Sequence, residues 1–153
     1  MKPNSSPRTA LVTGAAKRLG QAIAYGLAAD GWDIVVHYHS SEKEAMTTVD
    51  HIKAQGRRAI ALSCDLSDET STRKLITRSI EALGPISCVV NSASLFDFDD
   101  APTFSVAKLN AHMHTNLAAP ILLAQALHKA TPDGEQSVVI NLLDQKLYNL
   151  NPD

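Results

Sequence analysis

Basic surplus, paired cysteines, long apolar runs and internal repeats are all missing from this 153-residue chain. Lys and Arg number 14 against 16 Asp and Glu, for a net charge of −2. Nothing in that balance suggests nucleic acid or a membrane surface as a partner. The two cysteines, Cys64 and Cys88, both sit inside apolar stretches, so buried reduced thiols of a cytoplasmic protein are expected rather than a disulfide. No stretch approaches the length of a membrane span, and the first eight residues hold no apolar core for a signal peptide. Residues 1–7 read as a loose tail. The histidine pairs His37/His39 and His112/His114 are spaced i, i+2, which suits one face of a strand but not of a helix. No cysteine or acidic cluster completes a ligand set, so no metal is expected.

With 44% apolar and 20% charged residues, the chain reads as one soluble globular domain that buries roughly two thirds of its unfolded surface. Its organising stretch is Thr9 to Leu27. Ala10, Leu11 and Val12 suit a strand buried on both faces. Thr13 and Gly14 interrupt it, and from Leu19 the apolar residues Leu19, Ile23 and Leu27 recur at helical spacing beside Ala22 and Gly26. A strand, a glycine turn and a helix in so few residues aim the free N–H groups of a helix N-terminus beyond the strand end, a place suited to an anion such as a pyrophosphate. Gly14 permits the tight turn, and Gly20 permits close approach of helix and strand. The alternative is an ordinary strand-to-helix turn.

Further along, strand and helix alternate. Trp32 to Tyr38 reads as a second strand. Ser41 and Glu44 suggest a capping box for a helix with Ala45, Val49 and Ile52 inside, closed by Gly56. Ala59 to Leu62 is a third strand, and Leu75, Ile76, Ile80 and Leu83 mark a helix stopped at Gly84-Pro85. Ile86 to Val90 is a fourth strand, Val106 to about Lys129 a long helix, and Ser137 to Leu143 a fifth strand. Single helices between strands imply right-handed crossovers and a parallel sheet, which takes its ligand beyond the carboxyl ends of the strands. The expected fold class is therefore α/β, a Rossmann-like doubly wound sheet over residues 8–153.

Four strand ends concentrate the candidate residues. Gly14, Lys17, Arg18, Leu19 and Gly20 follow the first. The second ends in His37, Tyr38, His39, Ser40 and Ser41, with no carboxylate to hold a ribose 2′-hydroxyl. Imidazole and hydroxyl donors there, with Lys17 and Arg18 nearby, suit a 2′-phosphate and favour NADP over NAD; a solvated strand end is the plainer alternative. At the third, Asp65-Leu66 could accept from an adenine or serve as a turn residue. At the fourth, the small residues of Asn91-Ser92-Ala93-Ser94 let a flat ring lie against the backbone, as any tight loop also needs.

Together, Thr13-Gly14-Ala15-Ala16-Lys17-Arg18-Leu19-Gly20, Asn91-Ser92-Ala93-Ser94 and Asn116 in the long helix resemble the short-chain dehydrogenase/reductase family, over essentially the whole chain from Arg8. Arg18 in the middle-glycine position, the His37-Tyr38-His39 strand end, and Ser94 and Phe96 look most like its pteridine-reductase group. The resemblance implies NADP(H) as cofactor and a small carbonyl or pterin-like C=N substrate, with Ser94 and Phe96 on the substrate side. It implies catalytic roles for Asn116 and for Asp144, which stands where most members have serine, and a homo-oligomer in the full-length form. Ser92 departs from the family's second asparagine. Asn116 carries an argument of its own: Pro120 removes the helical bond to the Asn116 carbonyl, which then needs another partner such as a water. A simple kink is the alternative.

The family's Tyr-x-x-x-Lys pair does not occur here. Four residues beyond Tyr25, Tyr38 and Tyr148 stand Ala29, Glu42 and Pro152. The expectation is a dinucleotide-binding domain truncated after its fifth strand, its parent an NADPH-dependent oxidoreductase and the 153-residue chain itself inactive. The other reading is a non-catalytic NADP(H)-binding sensor or interaction module.

Overall fold

Period-two alternation of apolar residues is what sorts the core onto two faces of one sheet. The structure is a computed structural model that describes residues 8–97 and 100–144; the tail expected over 1–7, Tyr148 and the last part of the 8–153 domain lie outside the described residues. Five parallel strands, β1 (Thr9–Val12), β2 (Asp33–Tyr38), β3 (Ala59–Ser63), β4 (Cys88–Asn91) and β5 (Val138–Asn141), lie in the order β3-β2-β1-β4-β5. Ala10, Val12, Ile34 and Val36 point to one face, under α1 (Arg18–Ala29) and α2 (Glu42–Ala54). Leu11, Val35 and Val89 point to the other, under α3 (Glu69–Leu83) and α5 (Ala119–Ala130). Each large side chain so buried contributes about 1.5 to 3 kcal/mol. The expected α/β doubly wound parallel sheet is what forms. Cys64 and Cys88 are buried free thiols, as expected; burial pushes both thiol pKa values up.

Three local expectations need correction. First, the buried seam of α1 is Gly20, Ala24 and Ala28, while Leu19 is 60% exposed and Ile23 and Leu27 are only partly buried. The glycine turn brings this helix so near the sheet that only small residues fit beneath it. Second, the Ser41 side chain makes no capping bond. Glu44 pairs instead with Lys17 at 2.9 Å, so the capping box is not formed. Third, the long helix is broken. It runs as α4 (Val106–Met113), a π turn over His114–Ala118 that contains Asn116, and then α5. Pro120 stands in the first turn of α5, where its missing N–H is tolerated, and the widened turn ahead of it absorbs the kink.

At the opposite end of the sheet from the carboxyl ends, Asp33 opens β2 with a nearly inaccessible side chain. Its carboxylate takes Arg57 at 2.9 Å and Arg58 at 2.8 Å. Burial alone would push that carboxyl up, but the hydrogen bonds from Arg58 and the charge of Arg57 outweigh it and hold it below the usual range.

Candidate functional site

The strand order reverses between β1 and β4, and that switch point opens a crevice beyond the carboxyl ends of the strands. A cleft of about 820 Å³ occupies it. The turn after β1 forms its floor: Gly14 adopts φ +65°, and a Cβ there would stand 3.0 Å from the Ala93 Cα, tighter than an ordinary contact. Gly20 is under the same constraint, since its Cβ would run into the Gly14 carbonyl. Arg18 holds φ +52°, the one non-glycine with positive φ among the described residues. It occupies a glycine-like conformation while keeping a cationic side chain on the cleft wall.

Lys17 is the N-cap of α1, and its side chain makes no capping bond. The first N–H groups of that helix therefore point into the cleft with the positive end of the helix dipole behind them. Thr13 ties the two sides together. Its Oγ1 accepts from the amides of Ser92 and Ala93, each at 3.0 Å, so the turn after β1 and the loop after β4 move as one wall.

Most of the residues expected at the site meet here. Gly14, Lys17, Arg18, Leu19, Gly20, His37, His39, Ser40, Ser41, Asp65, Leu66, Ser92, Ala93, Ser94 and Asp144 all line the cleft. Leu19, exposed on the helix, becomes an apolar wall of the cleft. Because Ser41 makes no cap bond, the Ser40 and Ser41 hydroxyls and the N-terminus of α2 present donors beside His39. Lys17 stands with them, and holds the Glu44 carboxyl below its usual range.

Of these, His37 and Asp65 are engaged within the fold, and three further expected residues, Asn91, Phe96 and Asn116, lie outside the lining. His37 is only 2% exposed. Its Nδ1 accepts from the Gly14 amide at 3.1 Å and its Nε2 lies 3.0 Å from the Cys64 carbonyl. With both nitrogens engaged inside the fold, it is not a donor to a phosphate. Asp65 accepts from the Ser67 amide and hydroxyl at 2.9 and 2.7 Å, and these bonds hold its carboxyl below the usual range. That is the turn role, and its other oxygen lies 3.9 Å from His39. Asn91 is buried beside the cleft, its side-chain amide donating to Asn141 Oδ1 at 2.8 Å. Phe96 is 75% exposed and is not part of the lining. The Asn116 carboxamide clasps the backbone of Leu95 from the π turn.

Sequence reasoning passed over Ala111 and Thr115 from the broken helix and Leu142 and Leu143 after β5, which also line the cleft. The i, i+4 spacing of Ala111 and Thr115 was the available signal, but it needed the position of α4 to be read. No group of three or more potential metal-ligating side chains occurs among the described residues, and no described helix is long and apolar enough to cross a membrane.

Comparison with known proteins agrees with this geometry. The short chain dehydrogenase family matches residues 8–143. Alternative dihydrofolate reductase FolM from Brucella suis, solved in complex with NADP, is 33% identical with a TM-score of 0.88, over 95% of this chain and 60% of its own. A short chain dehydrogenase from Burkholderia cenocepacia, also in complex with NADP, is 32% identical with a TM-score of 0.89, over 95% and 58%. The L-rhamnose 1-dehydrogenase (NAD(P)(+)) of a Sphingomonas species is 30% identical over 78% of this chain. The chain spans about half the length of the curated relatives it matches, for example 47% of that enzyme.

Proposed function

Since the chain belongs to the short chain dehydrogenase family, we propose that it is the NADP(H)-binding part of a reductase whose substrate is a small carbonyl or pterin-like compound. The observation that carries this reading is the cleft end formed by Lys17, His39, Ser40 and Ser41, where hydroxyls, an imidazole and a cation gather, and where the neighbouring carboxylates of Asp65 and Glu44 are engaged with Ser67 and Lys17. Phosphate oxygens suit such a donor set. The uncapped start of α1 would take the pyrophosphate, with Gly14 allowing the backbone to come close. Relatives solved with NADP support the cofactor.

When bound, the cofactor supplies a hydride. The residues of this chain then bind and orient. Ser92 and Ala93 offer a flat backbone wall pinned by Thr13, and Ser94 and Asp144, which also line the cleft, are assigned to the substrate side. By the resemblance, Asn116 and Asp144 take part in proton delivery. Residues 1–153 contain no Tyr-x-x-x-Lys pair, and general acid catalysis typically contributes about 10²–10⁴-fold. The 153-residue chain should therefore bind NADPH without oxidising it in the presence of dihydropterins or ketones. The full-length protein is proposed to form homo-oligomers and to act in the cytoplasm.

Fluorescence titration with NADPH and NADH tests the cofactor assignment. NADPH should bind more tightly by about 1.5 to 3 kcal/mol, the scale of a charge-assisted hydrogen bond. Equal affinities, or a preference for NADH, would overturn it.

A further inference from the structure

We propose that His37 is a positioning residue for the cofactor: a neutral imidazole whose Nδ1 lone pair holds the Gly14 amide, and with it the turn on which the pyrophosphate would rest. The inference rests on the cofactor reading above and adds to it a residue that acts on the ligand through Gly14.

The connections converge on one side chain. Nδ1 accepts from the Gly14 N–H at 3.1 Å, so it must carry a lone pair; Nε2, 3.0 Å from the Cys64 carbonyl, must then carry the proton. The His37 backbone acts in the same direction, since its carbonyl accepts from the Ala15 amide at 3.0 Å. One residue at the end of β2 thus grips two successive amides of the glycine turn and reaches across to the chain leaving β3. Gly14 is the position where this grip matters. It sits at positive φ against Ala93, and no side chain of its own can fix its direction. Without an acceptor, the Gly14 N–H would be a donor turned toward a buried ring, and the turn would be free to rotate it elsewhere.

The surroundings keep the ring neutral. It is buried, with Arg78 of α3 and His39, just beyond β2, as the basic groups acting on it. The Cys64 thiol is itself held protonated by burial, and Asp65, next in the chain, is engaged with Ser67 and lies 3.9 Å from His39. Protonation would put a hydrogen on Nδ1 where the Gly14 N–H already points.

Two substitutions separate positioning from simple core filling. In His37→Asn, the Oδ1 stands near the place of Nδ1 and keeps the acceptor for Gly14 while losing the bond to Cys64. In His37→Gln, the amide nitrogen reaches toward the place of Nε2 and keeps the donor for Cys64 while losing the acceptor for Gly14. NADPH dissociation constants at pH 7.5 are expected to stay within about threefold for His37→Asn and to rise about tenfold or more for His37→Gln. Thermal melts should fall for both. Equal losses of affinity in the two variants would overturn the proposal, because core filling alone would move them together. Should either variant fail to fold, imidazole ¹⁵N shifts of the unmutated chain decide. An unprotonated Nδ1 between pH 8 and 5.5 supports the proposal; a proton on Nδ1, or a midpoint at the ordinary value of about 6.5, refutes it. Absence of NADPH binding by the unmutated chain would count against the cofactor reading instead, and the nitrogen shifts would still test the grip on Gly14.

Discussion

The carboxamide of Asn116 closes on the backbone of Leu95 from both sides: Nδ2 donates to the Leu95 carbonyl and Oδ1 accepts from the Leu95 amide, each at 2.8 Å. A residue in a π turn thereby fixes the loop that leaves β4 along the cleft. Asn116 is exposed and Leu95 half-buried, so the stabilisation is modest, about 1 kcal/mol. We predict that Asn116→Ala, which removes the acceptor for the Leu95 amide, lowers protection of that amide in hydrogen exchange while shifting global stability by about 1 kcal/mol or less. An unchanged exchange rate at Leu95 would show that the loop is held by other contacts.

Gly20 should be the least replaceable residue of the turn. A Cβ there runs into the backbone of Gly14 and Ala15 rather than a side chain that could move aside. We predict that Gly20→Ala costs about 2 kcal/mol or more in urea unfolding, since overpacked sites typically cost 1 to 3. Gly26→Ala, in the same helix with open space around it, should be neutral or stabilising through helix propensity. Similar behaviour of the two variants would mean that α1 can lift off the sheet freely.

Much of this was legible in the sequence, and the misreadings have physical causes. Short apolar runs bounded by glycine and proline located five strands, because buried parallel strands carry few polar residues to confuse the pattern. The face of α1 was misjudged because periodicity rewards Leu19, Ile23 and Leu27, whereas close packing selected Gly20, Ala24 and Ala28. The Ser41/Glu44 pair satisfied a local capping pattern, yet Lys17, remote in sequence, captured Glu44. His37 was grouped with His39 as a surface donor, but β2 ends at Tyr38, so His37 stays buried in the sheet while His39 lies exposed just beyond it. Thr13, with two amides on one hydroxyl, gave no sequence signal beyond its place before Gly14.

Acid should weaken the fold earlier than carboxylates alone would. Burial lowers the His37 pKa to about 4 from 6.5. The unfolded chain then binds the proton first, so the contribution of this group is complete above about pH 6.5 and is lost as pH falls toward 4. The full span corresponds to about 3 kcal/mol. We predict a falling urea midpoint between pH 6.5 and 4.5 that is largely absent in His37→Asn, the other histidines contributing equally to both. A midpoint flat across that window in the unmutated chain would contradict the burial of a neutral ring.

Asp33 should matter for folding and little for the cleft, which lies at the other end of the strands. Its carboxylate is buried while its arginine partners are partly exposed, so removing it strands two guanidinium groups that water can still reach. We predict that Asp33→Ala loses about 2 to 4 kcal/mol, somewhat below the range for fully buried pairs. Cofactor affinity measured well below the melting temperature should be unchanged. The lowered carboxyl pKa makes this contribution present above about pH 4 and lost below it.

The last prediction concerns self-association. Val106, Leu109, Met113, Leu117 and Ile121 are all about half exposed or more, and they follow one another at steps of three and four residues across α4, the π turn and α5. Steps of four drift around an α-helix, but a π turn uses more residues per turn and offsets the drift, so the break that follows from Pro120 keeps this stripe on one face. β5 has a strand partner only on its β4 side among the described residues, and Val138 and Ile140 on it are 47% and 44% exposed. An exposed apolar stripe and an open strand edge each favour association. Covering the remaining half of each stripe residue contributes about 1 kcal/mol apiece, and covering the stripe on both copies sets about 10 kcal/mol against the cost of association. We predict concentration-dependent association in sedimentation velocity. Leu117→Lys combined with Ile121→Lys should abolish it if the helical stripe forms the contact, whereas Ile140→Lys should abolish it if the contact is edge pairing through β5. A chain that stays monomeric into the high micromolar range would mean that neither surface is adhesive as it stands.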